Sequence, residues 1–241
     1  MSSNRPQETY WVNLSDIMTG LMVIFLFIAI TYIMQQKKQE REKDMLVQDF
    51  QNTKVELYKE LKREFDEDFK ETKWNAVLEE DLSIRFMNEQ VLFDENKDVL
   101  KPEFQSILKD FFPRYMKILL QDRFKESILE VRIEGHTNSK GGYIYNVDLS
   151  QRRTRNVLEY VLFNDSTTYA ALPSTDQELV RFWLMANGLS YGRTVDASGD
   201  LTLRSGKPED LERSKRVEFR IVTRTEEVLQ ELLDKITEKK R

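Results

Sequence analysis

The sequence predicts an α+β protein: a single N-terminal transmembrane helix, a helical stalk and a C-terminal α/β sandwich domain. Three observations predict it. Residues 17–34 carry only Thr19, Thr31 and Tyr32 as polar side chains. Residues 35–73 contain no Gly and no Pro and mix charges of both signs. Beyond residue 80, strand-like stretches alternate with helical patterns, as expected of helices laid over one sheet.

Composition bounds the function. The chain has 241 residues, enough for one ordinary domain plus accessory segments. Hydrophobic residues make up 40% and charged residues 33%, which suits a soluble domain, so the membrane assignment rests on one local segment. The net charge of −5 argues against a nucleic-acid partner, whose binding surface would be basic. With no cysteine, disulfides, zinc–thiolate sites and cysteine nucleophiles are excluded. His136 is the only histidine, which excludes a multi-histidine metal site; no metal and no cofactor are expected.

The first element is the apolar run "WVNLSDIMTGLMVIFLFIAITYIM", residues 11–34. At ~1.5 Å per residue, about 18–20 helical residues cover the ~30 Å hydrocarbon core. Tyr10, Trp11 and Tyr32 stand where interfacial aromatics belong. A cleaved signal peptide would show a basic leader, a shorter apolar core and an A-x-A site. Only Arg5 precedes the core and no A-x-A follows it. The reading is an uncleaved span over 13–34, with 1–12 ahead of it.

Asp16 is the anomaly, because an aspartate at the centre of a membrane helix costs roughly 2.5–3.5 kcal/mol, less near its end. One reading is that Asp16 or Ser15 caps the helix at the headgroup level. The other is an ionisable group that faces a protein partner and binds a proton or cation. Helical spacing puts Asp16, Thr19, Gly20 and Val23 on one face. That small, polar face suits close packing against other helices, whereas Phe25, Leu26 and Ile28 lie largely elsewhere.

The run Asp16-Ile-Met-Thr19-Gly20-Leu-Met with upstream Trp11 resembles the transmembrane signature of MotB-type stator subunits. The resemblance implies that Asp16 is the proton-carrying site, with Ser15, Thr19 and Gly20 supporting it on the pore face. It also implies a homodimer enclosed by a ring of a multi-span MotA-like partner.

The next element is the stalk, assigned to residues 35–79. Leu57, Leu61, Phe65 and Phe69 recur at i, i+4, a narrow stripe that favours a helix-pair seam over a domain core, although no strict heptad is sustained. A solvated spacer is the other reading. Thirty-nine helical residues, 35–73, would reach about 60 Å. Flagellar stator subunits of this type follow the span with a short amphipathic plug; "QQKKQEREKD" is polar throughout and departs from that pattern.

The domain, residues 80–224, shows strand-like stretches at 82–86, 128–134 and 216–222. Helical patterns cover 102–120, with Pro102 at the start, and 149–163. "TDQELVRFWLMANGL" (175–189) reads as an extra helix stopped by Gly188. Gly135, Gly141 and Gly142 read as turn glycines, and His136 as a loop histidine that orients the turn. The final segment, 225–241, reads as an amphipathic helix with Val228, Leu229, Leu232 and Ile236 on one face. It would pack on its own domain or pair two copies.

Three landmarks resemble the OmpA-like peptidoglycan-binding family: "VLFDENKDVLKPEFQSILKDF" (91–111), "IEGHTNSKGGYIYNVDLSQRRTRNVLEYV" (133–161) and "RSKRVEFRIV" (213–222). In that family an Asp in an HTD loop meets the ammonium of diaminopimelate, and an Arg in an NxxLSxxR helix takes its carboxylate. Asn146, Leu149, Ser150 and Arg153 satisfy the second motif. The first reads His136-Thr137-Asn138, with Asn in place of Asp. An Asn accepts a hydrogen bond but brings no charge, so affinity falls, Asp148 compensates, or the ligand differs. The peptidoglycan-binding set implied by the resemblance is Asn138, Tyr145, Asn146, Leu149 and Arg153.

Taken along its length, the chain resembles the MotB-like subunits of Zorya anti-phage defence systems, which work with a multi-span ZorA-type partner. The implied function is a peptidoglycan-anchored stator subunit of a proton-driven inner-membrane motor, not an enzyme. A flagellar MotB-type subunit is one alternative. A passive OmpA/Pal-like wall tether is another, and it explains everything after residue 34 but nothing about Asp16. Lys37, Lys38, Arg41 and Lys43 would hold the C-terminal bulk in the cytoplasm by the positive-inside rule. A peptidoglycan ligand requires the opposite, and we give it the greater weight: N-terminus cytoplasmic, C-terminal domain periplasmic.

Overall fold

The computed structural model describes residues 6–87, 89–164 and 166–224. The helix expected over 225–241 lies outside the described residues. The chain divides into two units, Met1–Asp49 and Phe50–Arg241.

The first unit is helical, formed by α1 (Pro6–Phe65) up to the unit boundary. Within it, Ile17–Arg41 is long and apolar enough to cross a membrane, and every side chain along it is exposed. A core helix of a soluble domain would bury such a face. Ser15 and Asp16 lie more than two turns inside α1, so the expectation that either caps its N-terminus fails: their amides belong to the helix interior.

The second unit begins with the last turns of α1 and corrects the reading of the stalk stripe. Leu57, Leu61 and Phe65 are fully buried in the core of the domain, and Phe69 packs against it. Phe65 lies 5.3 Å from Phe111 between ring centroids, and the Arg114 guanidinium stands 4.7 Å above its ring. The apolar stripe is therefore a docking face for its own domain, not a seam available to a second helix. Its narrowness fits both roles; only the neighbours distinguish them.

Five strands form one sheet in the order β1-β2-β5-β3-β4: β1 (Ala76–Leu78), β2 (Ser83–Phe86), β3 (Ile128–His136), β4 (Leu184–Gly188) and β5 (Arg216–Thr223). The sheet thus begins four residues ahead of the expected boundary at 80. Pairing is antiparallel except between β3 and β4. The helices are α2 (Glu89–Leu92), α3 (Pro102–Leu119), α4 (Asp122–Lys125), α5 (Tyr143–Glu159), α6 (Ser166–Ala171), α7 (Ser174–Trp183) and α8 (Thr202–Ser205). A π-helical turn at Tyr160–Asn164 continues α5.

Strand alternation sorts the side chains between two faces. Ile84, Phe86, Val131, Ile133, Val217, Phe219 and Ile221 join the apolar core with Phe104, Phe111 and Tyr115 of α3. The intervening residues Arg85, Arg132, Glu134, His136, Arg216, Glu218 and Arg220 are all ionisable. Register aligns them across the sheet, pairing Glu134 with Glu218 and His136 with Arg216.

Two local expectations change. The helix expected through 175–189 ends at Trp183, and Leu184–Gly188 forms edge strand β4. Its outer backbone groups are satisfied by one side chain: Gln151 Nε2 donates to the Ala186 carbonyl (3.1 Å), and the Gly188 amide donates to Gln151 Oε1 (2.8 Å). The Gln151 amide so acts as a surrogate strand neighbour, which outweighs the helical pattern of the segment. Gly135 lies in β3 rather than in a turn; a Cβ there would come within 2.7 Å of Thr154 Cγ2 and 2.9 Å of the Ser150 carbonyl.

The stripe assignment is checked by Leu61→Ala, expected to destabilise the domain by about 2–5 kcal/mol in denaturant unfolding of the detergent-solubilised chain. A seam residue would leave that transition in place. Gly188→Ala, whose Cβ would stand 2.3 Å from the Gln151 backbone nitrogen, is expected to cost about 1–3 kcal/mol in the same assay.

Candidate functional site

The HTN loop and the NxxLSxxR motif converge where β3 runs out and α5 begins. Thr137 leaves the sheet with its amide donating to the Ser190 carbonyl (3.0 Å). Asn138 closes the following turn, accepting from the Lys140 amide at Oδ1 (3.2 Å) and donating from Nδ2 to the Leu211 carbonyl (3.2 Å). Gly141, at φ +88°, lets the chain reverse into α5. Asn146 ties that loop back, its Nδ2 reaching the carbonyls of Lys140 (2.8 Å) and Gly142 (3.2 Å).

Two turns further along α5, Arg153 is only 5% exposed. Its guanidinium lies 4.8 Å over the Phe93 ring. Nε donates to the Lys97 carbonyl (2.8 Å) and Nη2 to the Asp94 carbonyl (3.2 Å). Burial lowers its pKa to about 10, against the raising effect of Asp98 and Tyr145, so it stays charged near neutrality. Arg153, Asn138, Asn146 and Leu149 line one cavity of about 60 Å³.

The structure thus brings together four of the five expected ligand residues. Tyr145 is 48% exposed and stands outside the lining. The same cavity is lined by Thr137, Lys140 and Lys215 and by Glu95 and Asn96, which the motif reading missed. Glu95 and Asn96 lie in "FDENKD" and Lys215 in "RSKRVE", which the sequence marks only as strand and loop landmarks, whereas Thr137 and Lys140 flank Asn138 in the His136-Thr137-Asn138 loop. Asp148 does not compensate for Asn138: it pairs with Arg152, one helical turn along α5, and is absent from the lining.

His136 is the last residue of β3, not a loop residue, and lies on the ionisable face of the sheet. It is 2% exposed, and neither ring nitrogen has a hydrogen-bond partner among the described residues. Its Nε2 stands 3.6 Å from Glu218 Oε1 and 3.9 Å from Glu134 Oε2. These three donors lie within 4.8 Å of one another, the spacing of a small cation site. Both carboxylates already face guanidinium groups, however: Glu218 meets Arg216 (2.6 Å) and Arg85 (3.2 Å), and Glu134 meets Arg193 (3.3 Å). That positive surround opposes a further cation. Burial, with Arg216, Arg193 and Arg85, holds the imidazole well below its usual value. Burial and then Glu218 raise the Glu134 carboxyl. An open polar cavity of about 720 Å³ adjoins this cluster.

Of the residues expected on a pore face, Ser15, Thr19 and Gly20 are exposed on α1. The Thr19 hydroxyl donates to the Ser15 carbonyl (2.8 Å), a bond within the helix. Nothing lies within 4 Å of the position a Cβ would take at Gly20.

The fold and site define an OmpA-type domain carried on a chain with an apolar helix of membrane-spanning length. Residues 92–170 match the OmpA family. Over 227 residues the chain is 39% identical to the Zorya protein ZorB of Escherichia coli strain Crooks, covering 90% of this chain and 89% of that one. It is 25% identical over 222 residues to the Zorya protein ZorB of a second Escherichia coli strain, covering 91% and 82%. The chain belongs to the ZorB family. Among solved structures, a MotB-like protein from Desulfovibrio vulgaris aligns with 20% identity and a TM-score of 0.45, covering 75% of this chain and 98% of that one.

The buried imidazole takes up a proton at lower pH in the folded than in the unfolded chain. The unfolded state therefore binds more protons below about pH 6.5, and stability falls as pH drops through that range. Glu134, raised in the folded state, acts in the opposite sense and lowers stability as pH rises through its own range. The expected outcome is that wild type loses stability from roughly pH 7 to about 5.5 and His136→Gln loses less, read from chemical denaturation at each pH.

Proposed function

We propose that the chain is a peptidoglycan-anchored stator subunit of a proton-driven inner-membrane motor that serves anti-phage defence. The observation that carries this reading is the joining, in one ZorB-family chain, of a carboxylate on an apolar helix to a domain with a buried-arginine cavity. Asp16 would be the ion-carrying group. Ser15, Thr19 and Gly20 support it on the helix face, and the open space beside Gly20 suits the approach of a neighbouring helix. The neighbours would be the second copy in a homodimer and a surrounding ring of a ZorA-type, MotA-like multi-span protein.

Residues 13–34 would cross the membrane, with 1–12 in the cytoplasm and the C-terminal domain in the periplasm. There the Arg153 cavity would hold a stem-peptide end of the cell wall. Anchoring has a mechanical purpose. One charge crossing about 100 mV releases about 2.3 kcal/mol, which turns into rotation only if part of the assembly cannot turn. The reading is a binding protein, in keeping with the ZorB and OmpA relatives.

The test is phage plating on cells carrying the native operon, comparing wild type with Asp16→Asn at equal membrane levels. Loss of protection is the expected result. Protection that persists would favour the passive wall tether, and a wild type that never protects would remove the defence role and leave motility as the readout. For the wall contact, Arg153→Lys keeps the charge but loses the forked bonds to Lys97 and Asp94. It is expected to reduce cosedimentation with purified sacculi about tenfold.

A further inference from the structure

Resting on the reading of the Arg153 cavity as a peptidoglycan site, one question is what meets the ammonium of a zwitterionic stem-peptide end. Asn138 cannot supply charge, and each end of its amide already makes one bond, to the Lys140 amide and the Leu211 carbonyl. Lys140 and Arg153 line the cavity, beside a Lys215 already bonded to Glu212 (2.9 Å), so the carboxylate end is provided for.

The acids nearby are mostly spent. Asp94 is held by Lys97 (3.0 Å) and Lys101 (3.2 Å). Asp98 is bonded to Arg152 (2.8 Å), which Asp148 also meets, and Glu212 is bonded to Lys215 (2.9 Å). Among the described residues, Glu95 is the carboxylate that lines the cavity, at its exposed rim.

Its position is set by Arg153. Residues 94–97 form a turn closed by the Lys97 amide on the Asp94 carbonyl (3.0 Å), with Asn96 at φ +57°. Arg153 grips both carbonyls at the ends of that turn through Nη2 and Nε. The backbone of the turn that carries the exposed Glu95 is thereby pinned to the residue expected to take the ligand's carboxylate. A cavity of about 60 Å³ has room for little more than a head group, so its lining decides what enters.

We propose that Glu95 is the ammonium acceptor of this site, taking the place of the missing acid at position 138, and that Arg153 is its positioning residue. The ligand class is a zwitterionic amino-acid terminus, with the ammonium at Glu95 and the carboxylate between Lys140 and Arg153.

The experiment is cosedimentation of the full detergent-solubilised chain with purified diaminopimelate-type sacculi, native or with their free amines acetylated. Wild type and Glu95→Gln are compared on both, after denaturant unfolding confirms equal stability. Wild type should lose about tenfold in affinity on acetylation. Glu95→Gln should bind native sacculi about tenfold more weakly and respond little to acetylation. Equal binding by the two proteins, or an equal loss on acetylation, would overturn the assignment while leaving the peptidoglycan reading intact. A wild type that fails to sediment with native sacculi would remove both.

Discussion

The close approach of α5 to β3 and β4 is the constraint on which the rest of the domain depends. At Gly135 and Gly188 the helix passes so near the strands that a single methyl group would collide with Thr154, with the Ser150 carbonyl or with the Gln151 backbone. That approach lets the Gln151 side chain satisfy the outer edge of β4. It also fixes the start of α5 beside the loop leaving β3, so that Asn146 can close that loop and Arg153 can reach the turn after Phe93. A helix one side chain further out would leave each of these bonds too long.

Arg153 shows how binding and structure share one group. Its guanidinium is too buried to be left unpaired, since a desolvated charge without partners costs several kcal/mol. Two backbone carbonyls and the face of Phe93 answer that demand. The bonds they form hold the cavity wall in place, so the residue proposed to recognise the ligand also builds the site.

The opposite face of the sheet follows another logic. Alternation places Arg85, Glu134, His136, Arg216 and Glu218 side by side, and register pairs Glu134 with Glu218. Two carboxylates brought together raise the cost of ionising both, and the guanidinium groups of Arg193, Arg216 and Arg85 offset it. The imidazole between them is left neutral and without a hydrogen bond among the described residues. Such a network adds little net stability, because desolvating the charges offsets much of their mutual attraction.

Much of this was legible in the residues themselves. Strand-like stretches marked β2, β3 and β5, Pro102 marked the start of α3, and the resemblance to the NxxLSxxR motif singled out Asn146, Leu149 and Arg153, although the helical pattern marked only 149 onward and α5 begins at Tyr143. These are local signals, because periodicity and spacing act within one element. An apolar run of membrane length is equally local, as it depends on no neighbour. Tertiary structure decided the remainder. Whether Leu57, Leu61 and Phe65 face a second helix or their own domain depends on what stands opposite them, and so does the choice of strand for Leu184–Gly188. The meeting of Glu95 with Arg153 joins residues far apart in the chain, and only folding brings them to one cavity. Contacts of that kind carry no periodicity, and so leave no mark on either segment read alone.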